Sequence, residues 1–280
     1  MSVNVNSIRA MARFSSKFRN YFTAEIERLG LSSWDDLRKD WWAGLNFFFN
    51  RSFFQGRRDE LSEAFRGATI KALESFLPSE LSLTEKASRL ITLSDKGWFN
   101  KDKWNEMTNP VKQALEQKYE VEVNEQQKKS STGRRLDREM VLDTLRFICC
   151  HSKAKGTVLN IAAHTTERIE SSDIRGIYRE LDELRQVGPK ITSLFLRDLV
   201  TIMRLQKHLN KTDYELLQPV DTWVKKIATK LNIQSDNLSV ALVDACRQAK
   251  VDPIQFNEGA WYLGSHSFDL LLENLERIKA

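Results

Sequence analysis

Apolar residues recur at three- and four-residue intervals through almost all of this 280-residue chain, the spacing that one face of a helix requires. Periodic segments fall near 6–29, 34–49, 58–77, 84–95, 109–121, 138–151, 157–169, 173–185, 190–208, 222–231, 236–248, 254–264 and 267–279. Gly30, Gly56, Pro78, Gly97, Pro110, Gly156, Gly188, Pro219 and Pro253 punctuate them, each able to stop or turn a helix. Two-residue alternation is never sustained, and Tyr119 to Val123 make one short strand at most. The pattern predicts an all-α fold with no solenoid period.

A chain of this length buries one large core or two modest ones. Its 41% hydrophobic and 29% charged residues suit a globular protein, and no apolar run is long enough to span a membrane. A formal charge of +5 permits a nucleic-acid partner without requiring one. Cys149, Cys150 and Cys246 supply neither a disulfide framework nor metal-site spacing, which points to a reducing compartment. His151, His164, His208 and His266 are scattered, with no HExxH, so no side-chain metal site is expected. There is no Walker loop.

The clearest composition break is Asn124 to Arg135, NEQQKKSSTGRR, which lacks apolar residues and reads as a solvated basic linker rather than a dedicated DNA arm. It divides the chain into an N-terminal helical region, 1–123, and a second region, 136–280. Residues 1–24 are basic, free of acids and apolar on one face, as in a mitochondrial presequence. The pattern runs on unbroken to Gly30, so a first structural helix and a cytoplasmic, nucleoid-associated location are expected instead. Eight aromatics lie between Trp34 and Phe54, and most are expected in the core, with one or two at the rim of a cleft where a base could stack.

The functional signal lies further along. Ile174, Ile177, Tyr178, Leu181 and Leu184 form one apolar stripe, with Asp173 placed to cap it. Ile191, Leu194, Phe195, Leu199, Ile202 and Met203 form the next, with Pro189 at its first turn. Arg185-Gln186-Val187-Gly188-Pro189-Lys190 joins them, making a helical hairpin whose second N-terminus offers free N–H groups to an anion. Another helix starts after Pro219-Val220-Asp221-Thr222-Trp223.

Val187-Gly188-Pro189-Lys190 followed by Pro219-Val220-Asp221-Thr222 resembles the signature of the helix-hairpin-helix DNA glycosylase superfamily, over roughly residues 136 to 265. The lysine-to-aspartate interval of 31 residues is closest to that of the archaeal 8-oxoguanine branch. The resemblance implies two helical subdomains flanking a DNA cleft, in a monomer acting on double-stranded DNA that holds a damaged or modified base. It implies a phosphate grip at Gln186, Val187, Gly188, Pro189, Lys190 and Thr192, with a monovalent cation at the hairpin backbone in many members. Asp221 becomes the catalytic carboxylate, Lys190 the nucleophile in members that also cut the strand, and Trp223 a candidate for the base pocket. No organic cofactor is implied, and with Cys246 alone near the C-terminus no iron–sulfur cluster is expected.

Each role has a plain structural counterpart. Asp before a helix is a preferred N-cap. Lysine after a turn binds phosphate as a point charge. Trp223 can equally be buried against a neighbouring helix. Gln186 stands where the family has the hairpin's first glycine, so a positive φ there costs about 1 kcal/mol or shifts the turn, and a looser phosphate grip than in the family is expected. The expected activity is base release by a DNA glycosylase, with an oxidised purine such as 8-oxoguanine as first substrate and abasic-site lyase activity if Lys190 is reactive. The alternatives are a glycosylase acting on a modified base in phage DNA, a non-catalytic hairpin DNA-binding module and a helical interaction scaffold.

Overall fold

The structure, a computed structural model, describes residues 4–54, 59–78, 81–92, 101–123, 127–155 and 157–272. The expected breaks at Gly56, Gly97 and Gly156, and the end of the last expected helix, lie outside them. The fold is mostly helical. Among the described residues the α-helices are α1 (Val5–Arg13), α2 (Ser15–Arg28), α3 (Trp41–Ser52), α4 (Asp59–Phe76), α5 (Leu83–Thr92), α6 (Lys101–Glu116), α7 (Arg135–Lys155), α8 (Ile161–Glu170), α9 (Ile174–Asp182), α10 (Gly188–Ile202), α11 (Thr222–Lys230), α12 (Leu238–Ala249) and α13 (Pro253–Leu272).

One antiparallel hairpin interrupts them, β1 (Lys118–Val123) and β2 (Gln127–Thr132), in register from Lys118 opposite Thr132 to Val123 opposite Gln127. Half of the expected linker 124–135 is therefore strand, and α7 has begun by its last residue. The reason is backbone pairing. β2 has no apolar residue to announce it, and it is held by its ladder to β1, whose Tyr119 packs edge-on against Phe65 of α4.

The chain forms two compact units, each discontinuous in sequence. One gathers Met1–Trp34, Arg168–Arg179 and Thr192–Ala280; the other gathers Asp35–Glu167 and Glu180–Ile191. The N-terminal residues thus pack with the C-terminal helices, which is not the division drawn at 124–135.

In the first unit α1, α11, α12 and α13 enclose Ile8, Met11, Val224, Ile227, Leu242, Cys246, Phe256 and Leu263. Asn4 caps α1 through Ser7 N (3.1 Å), and the Arg9 guanidinium donates to the Ala249 carbonyl (2.9 Å). Gly259 allows the closest approach: a Cβ there would land on the Met11 carbonyl. The presequence-like residues are thus a built-in wall of this unit. Gly264, expected near a helix end, lies inside α13 instead, where a Cβ would come within 2.7 Å of the Trp223 side chain.

Beside this core lies a buried polar network. Arg197, fully buried, donates through Nε and Nη2 to Asp198 Oδ1 (2.9 and 2.7 Å) and through Nη1 to Asn257 Oδ1 (2.7 Å). Glu258 accepts from Thr201 Oγ1 (3.0 Å) and Arg19 Nε (2.9 Å). Burial pushes the Glu258 carboxyl upward, against the pull of Arg197 and Arg19.

The second unit buries Phe47, Phe48, Phe49 and Phe53 of the aromatic cluster completely, so most of it is core, as expected. Asn160 joins two segments here. Its Oδ1 caps α8 through Ala162 N (3.0 Å) and Ala163 N (3.1 Å), and its Nδ2 donates to the Leu37 carbonyl (2.7 Å).

Candidate functional site

The turn between α9 and α10 is specified residue by residue. Asp173 caps α9 through Gly176 N (3.1 Å) and accepts from Arg168 Nε (2.8 Å); that guanidinium holds the Asp173 carboxyl below the usual carboxylate range. The turn then closes through Leu184 N to Leu181 O (3.2 Å) and Val187 N to Leu184 O (3.1 Å). Asp143 of α7 pins its middle by accepting from Arg185 N (3.0 Å). Val187 is buried, the apolar plug of the turn.

The residues on either side of Val187 are both left-handed. Gln186 has φ 64° and Gly188 has φ 63°. Gln186 therefore adopts the glycine-favoured backbone at the position where the resemblance expects glycine. Nothing lies within 4 Å of where a Gly188 Cβ would be, so the backbone of the turn is approachable at that point. Replacing Gln186 by Gly relieves the left-handed strain and is expected to raise stability by about 1 kcal/mol, read from the midpoint of chemical denaturation. An unchanged midpoint would mean that the Gln186 side chain offsets the strain.

Pro189 is exposed and Lys190 half-buried in the first turn of α10. Lys190 Nζ donates to the Phe54 carbonyl (2.9 Å), a partner that no sequence pattern announces because the two are 136 residues apart. Attack by this amine would require its neutral form, which alone carries a lone pair. Thr192, the last of the expected phosphate set, has a buried side chain. It is fully buried, and its hydroxyl has no hydrogen-bond partner in the described structure, so it faces the interior rather than a docked backbone.

Asp221 caps α11, with extended backbone at φ −102° and ψ −173°. Its Oδ1 accepts from Val224 N at 2.8 Å, and the residue is half-buried. The helix N-terminus stabilises a negative charge there. The cap occupies one carboxylate oxygen and leaves the other, Oδ2, without a hydrogen-bond partner among the described residues. Trp223 is half-buried against Gly264 of α13, and Lys226 Nζ lies 4.7 Å above its ring. Gln186 to Lys190 belong to one compact unit, while Asp221, Trp223 and Thr192 belong to the other.

The histidines are not all scattered. His151 of α7, His164 of α8 and Glu180 of α9 offer ligand atoms that all lie within 4.8 Å of one another, inside one unit. The sequence missed this because the three stand on three helices, with no short motif linking them. No protein-family model, curated protein or solved structure matches the chain.

Proposed function

We propose that the chain is a monomeric DNA N-glycosylase that flips a damaged or modified base from duplex DNA and cleaves its N-glycosidic bond. One observation carries most of this reading: a half-buried carboxylate, Asp221, fixed through one oxygen at a helix N-terminus with its other oxygen open. As the base departs, positive charge grows on the sugar, and a carboxylate held in that way stabilises it and orients the attacking water. The turn gives independent support. Left-handed Gln186 and Gly188 around buried Val187 give the turn an approachable backbone, which supports reading it as a helix-hairpin-helix that holds a phosphate or a monovalent cation beside one.

The test is mass spectrometry of free bases released from oxidised, alkylated, deaminated and phage-modified DNA. An oxidised purine such as 8-oxoguanine is the first expected product, and a phage-modified base the second. Release of no base from any of these DNAs, with binding intact, would leave a non-catalytic hairpin module. The Lys190–Phe54 bond favours that alternative over any covalent reading, since it gives the lysine a structural task.

For the same reason Lys190→Ala is expected to retain base release and to cost roughly 1–2 kcal/mol of stability, the value of a charge-assisted hydrogen bond. Borohydride reduction in the presence of substrate checks this. Loss of a trapped protein–DNA product in the variant would make Lys190 a Schiff-base nucleophile and the enzyme a lyase as well.

A further inference from the structure

Independently of the glycosylase reading, we propose that His151, His164 and Glu180 bind one divalent first-row transition ion of the zinc class. The ion would tie α7 to the start of α8 and the end of α9, the parts of those helices that lie in the same compact unit.

The geometry argues this at three points. His164 Nε2 and Glu180 Oε2 stand 3.2 Å apart. Two ligands bound at about 2.0–2.1 Å in a tetrahedral shell are about 3.3 Å apart, so this edge is already at ligand spacing. The third ligand atom lies within 4.8 Å of both. Second, His151 Nδ1 lies 2.9 Å from the Phe147 carbonyl. A carbonyl only accepts, so Nδ1 carries the hydrogen, and in the neutral ring Nε2 keeps the lone pair. A backbone carbonyl that fixes the tautomer in this way is the usual companion of a metal-binding histidine. Third, the rings are held. His151 packs on Phe147 with centroids 4.1 Å apart, its centroid is 5.7 Å from that of His164, and His164 is buried.

An ordinary hydrogen bond between His164 and Glu180 needs no second histidine. Two imidazoles and one carboxylate, with the Glu180 side chain 31% exposed, suit a borderline cation with a coordination position left for water. Glu180 also sits in the last turn of α9, just ahead of the turn at 183–187, so occupancy would stiffen the entry to that turn.

The experiment uses the full chain without an affinity tag, stripped by chelator and then equilibrated with Zn²⁺. Elemental analysis is expected to find one zinc per chain. Competition with a chromophoric chelator should show affinity falling by more than about 100-fold in His164→Ala. Glu180→Gln keeps the side-chain shape and should also weaken binding, with an unchanged far-UV circular dichroism spectrum as its folding control. Zinc should raise the melting temperature of the unaltered chain and not that of either variant. Substoichiometric zinc in the unaltered chain would overturn the site, as would undiminished affinity in Glu180→Gln and in the double variant His151→Ala/His164→Ala.

Discussion

Asp221→Asn should slow base release by at least about 10³-fold while leaving the fold and DNA binding nearly unchanged. The substitution separates the observed cap from the proposed catalytic role. Asparagine is as good an N-cap as aspartate, and its amide oxygen still accepts from Val224 N, so stability should shift by less than about 0.5 kcal/mol. What it removes is the negative charge that the proposed mechanism places beside the forming sugar cation, and about 4 kcal/mol of transition-state stabilisation corresponds to the expected rate loss. Single-turnover base release, a DNA titration and a denaturation curve on the same preparation check the three parts. Full activity in Asp221→Asn would end the proposed mechanism, leaving Asp221 as a cap. Equal loss of activity and stability would show that the cap, and not the charge, had been damaged.

Arg197→Met is expected to be the most destabilising single change discussed, at about 3–5 kcal/mol, because it removes a fully buried cation from among buried acids. Methionine fills most of the volume, so the loss reports on charge and hydrogen bonds more than on packing. Two hydrogen bonds to Asp198 and one to Asn257 disappear. Glu258 loses one of the two arginines that favour its charged form. Burial already raises its carboxyl above the usual carboxylate range in the folded chain, and it rises further without Arg197. A carboxyl raised on folding binds its proton more tightly folded than unfolded. Its contribution is therefore most favourable in acid and declines as pH rises through the folded value. The stability deficit of Arg197→Met should accordingly be smaller near pH 4 than at pH 7, read from urea midpoints at the two pH values. A deficit that does not change with pH would mean that Glu258 takes no part.

The helical class was legible because apolar spacing reports directly on which face of a helix is buried, and α9 and α10 carry that spacing over most of their length. The turn was legible because Gly188 and Pro189 impose local backbone rules that act within a few residues. β2 was not legible, since Gln127 to Thr132 pair through backbone groups that every sequence possesses. The Lys190–Phe54 bond and the His151–His164–Glu180 cluster were missed for a common reason. Each depends on which helices lie side by side, and one sequence without its relatives carries no signal of that. The buried Thr192 shows the converse: a position borrowed from a motif says where a residue sits along the chain, not which way it faces.

The seating of α1 against α13 has a consequence for how the protein is made. Ile8 and Met11 pack with residues of α11, α12 and α13, and this core is complete only when Phe256, Ala260 and Leu263 have been synthesised, nearly the whole chain later. During translation the first helices must therefore wait, their apolar faces uncovered, and closing so long a loop is slow. The acid-free, basic stretch from Arg9 to Arg19 gives the waiting segment like charges that resist self-association. A nascent chain halted before α13 should accordingly be held by chaperones through its beginning rather than its end.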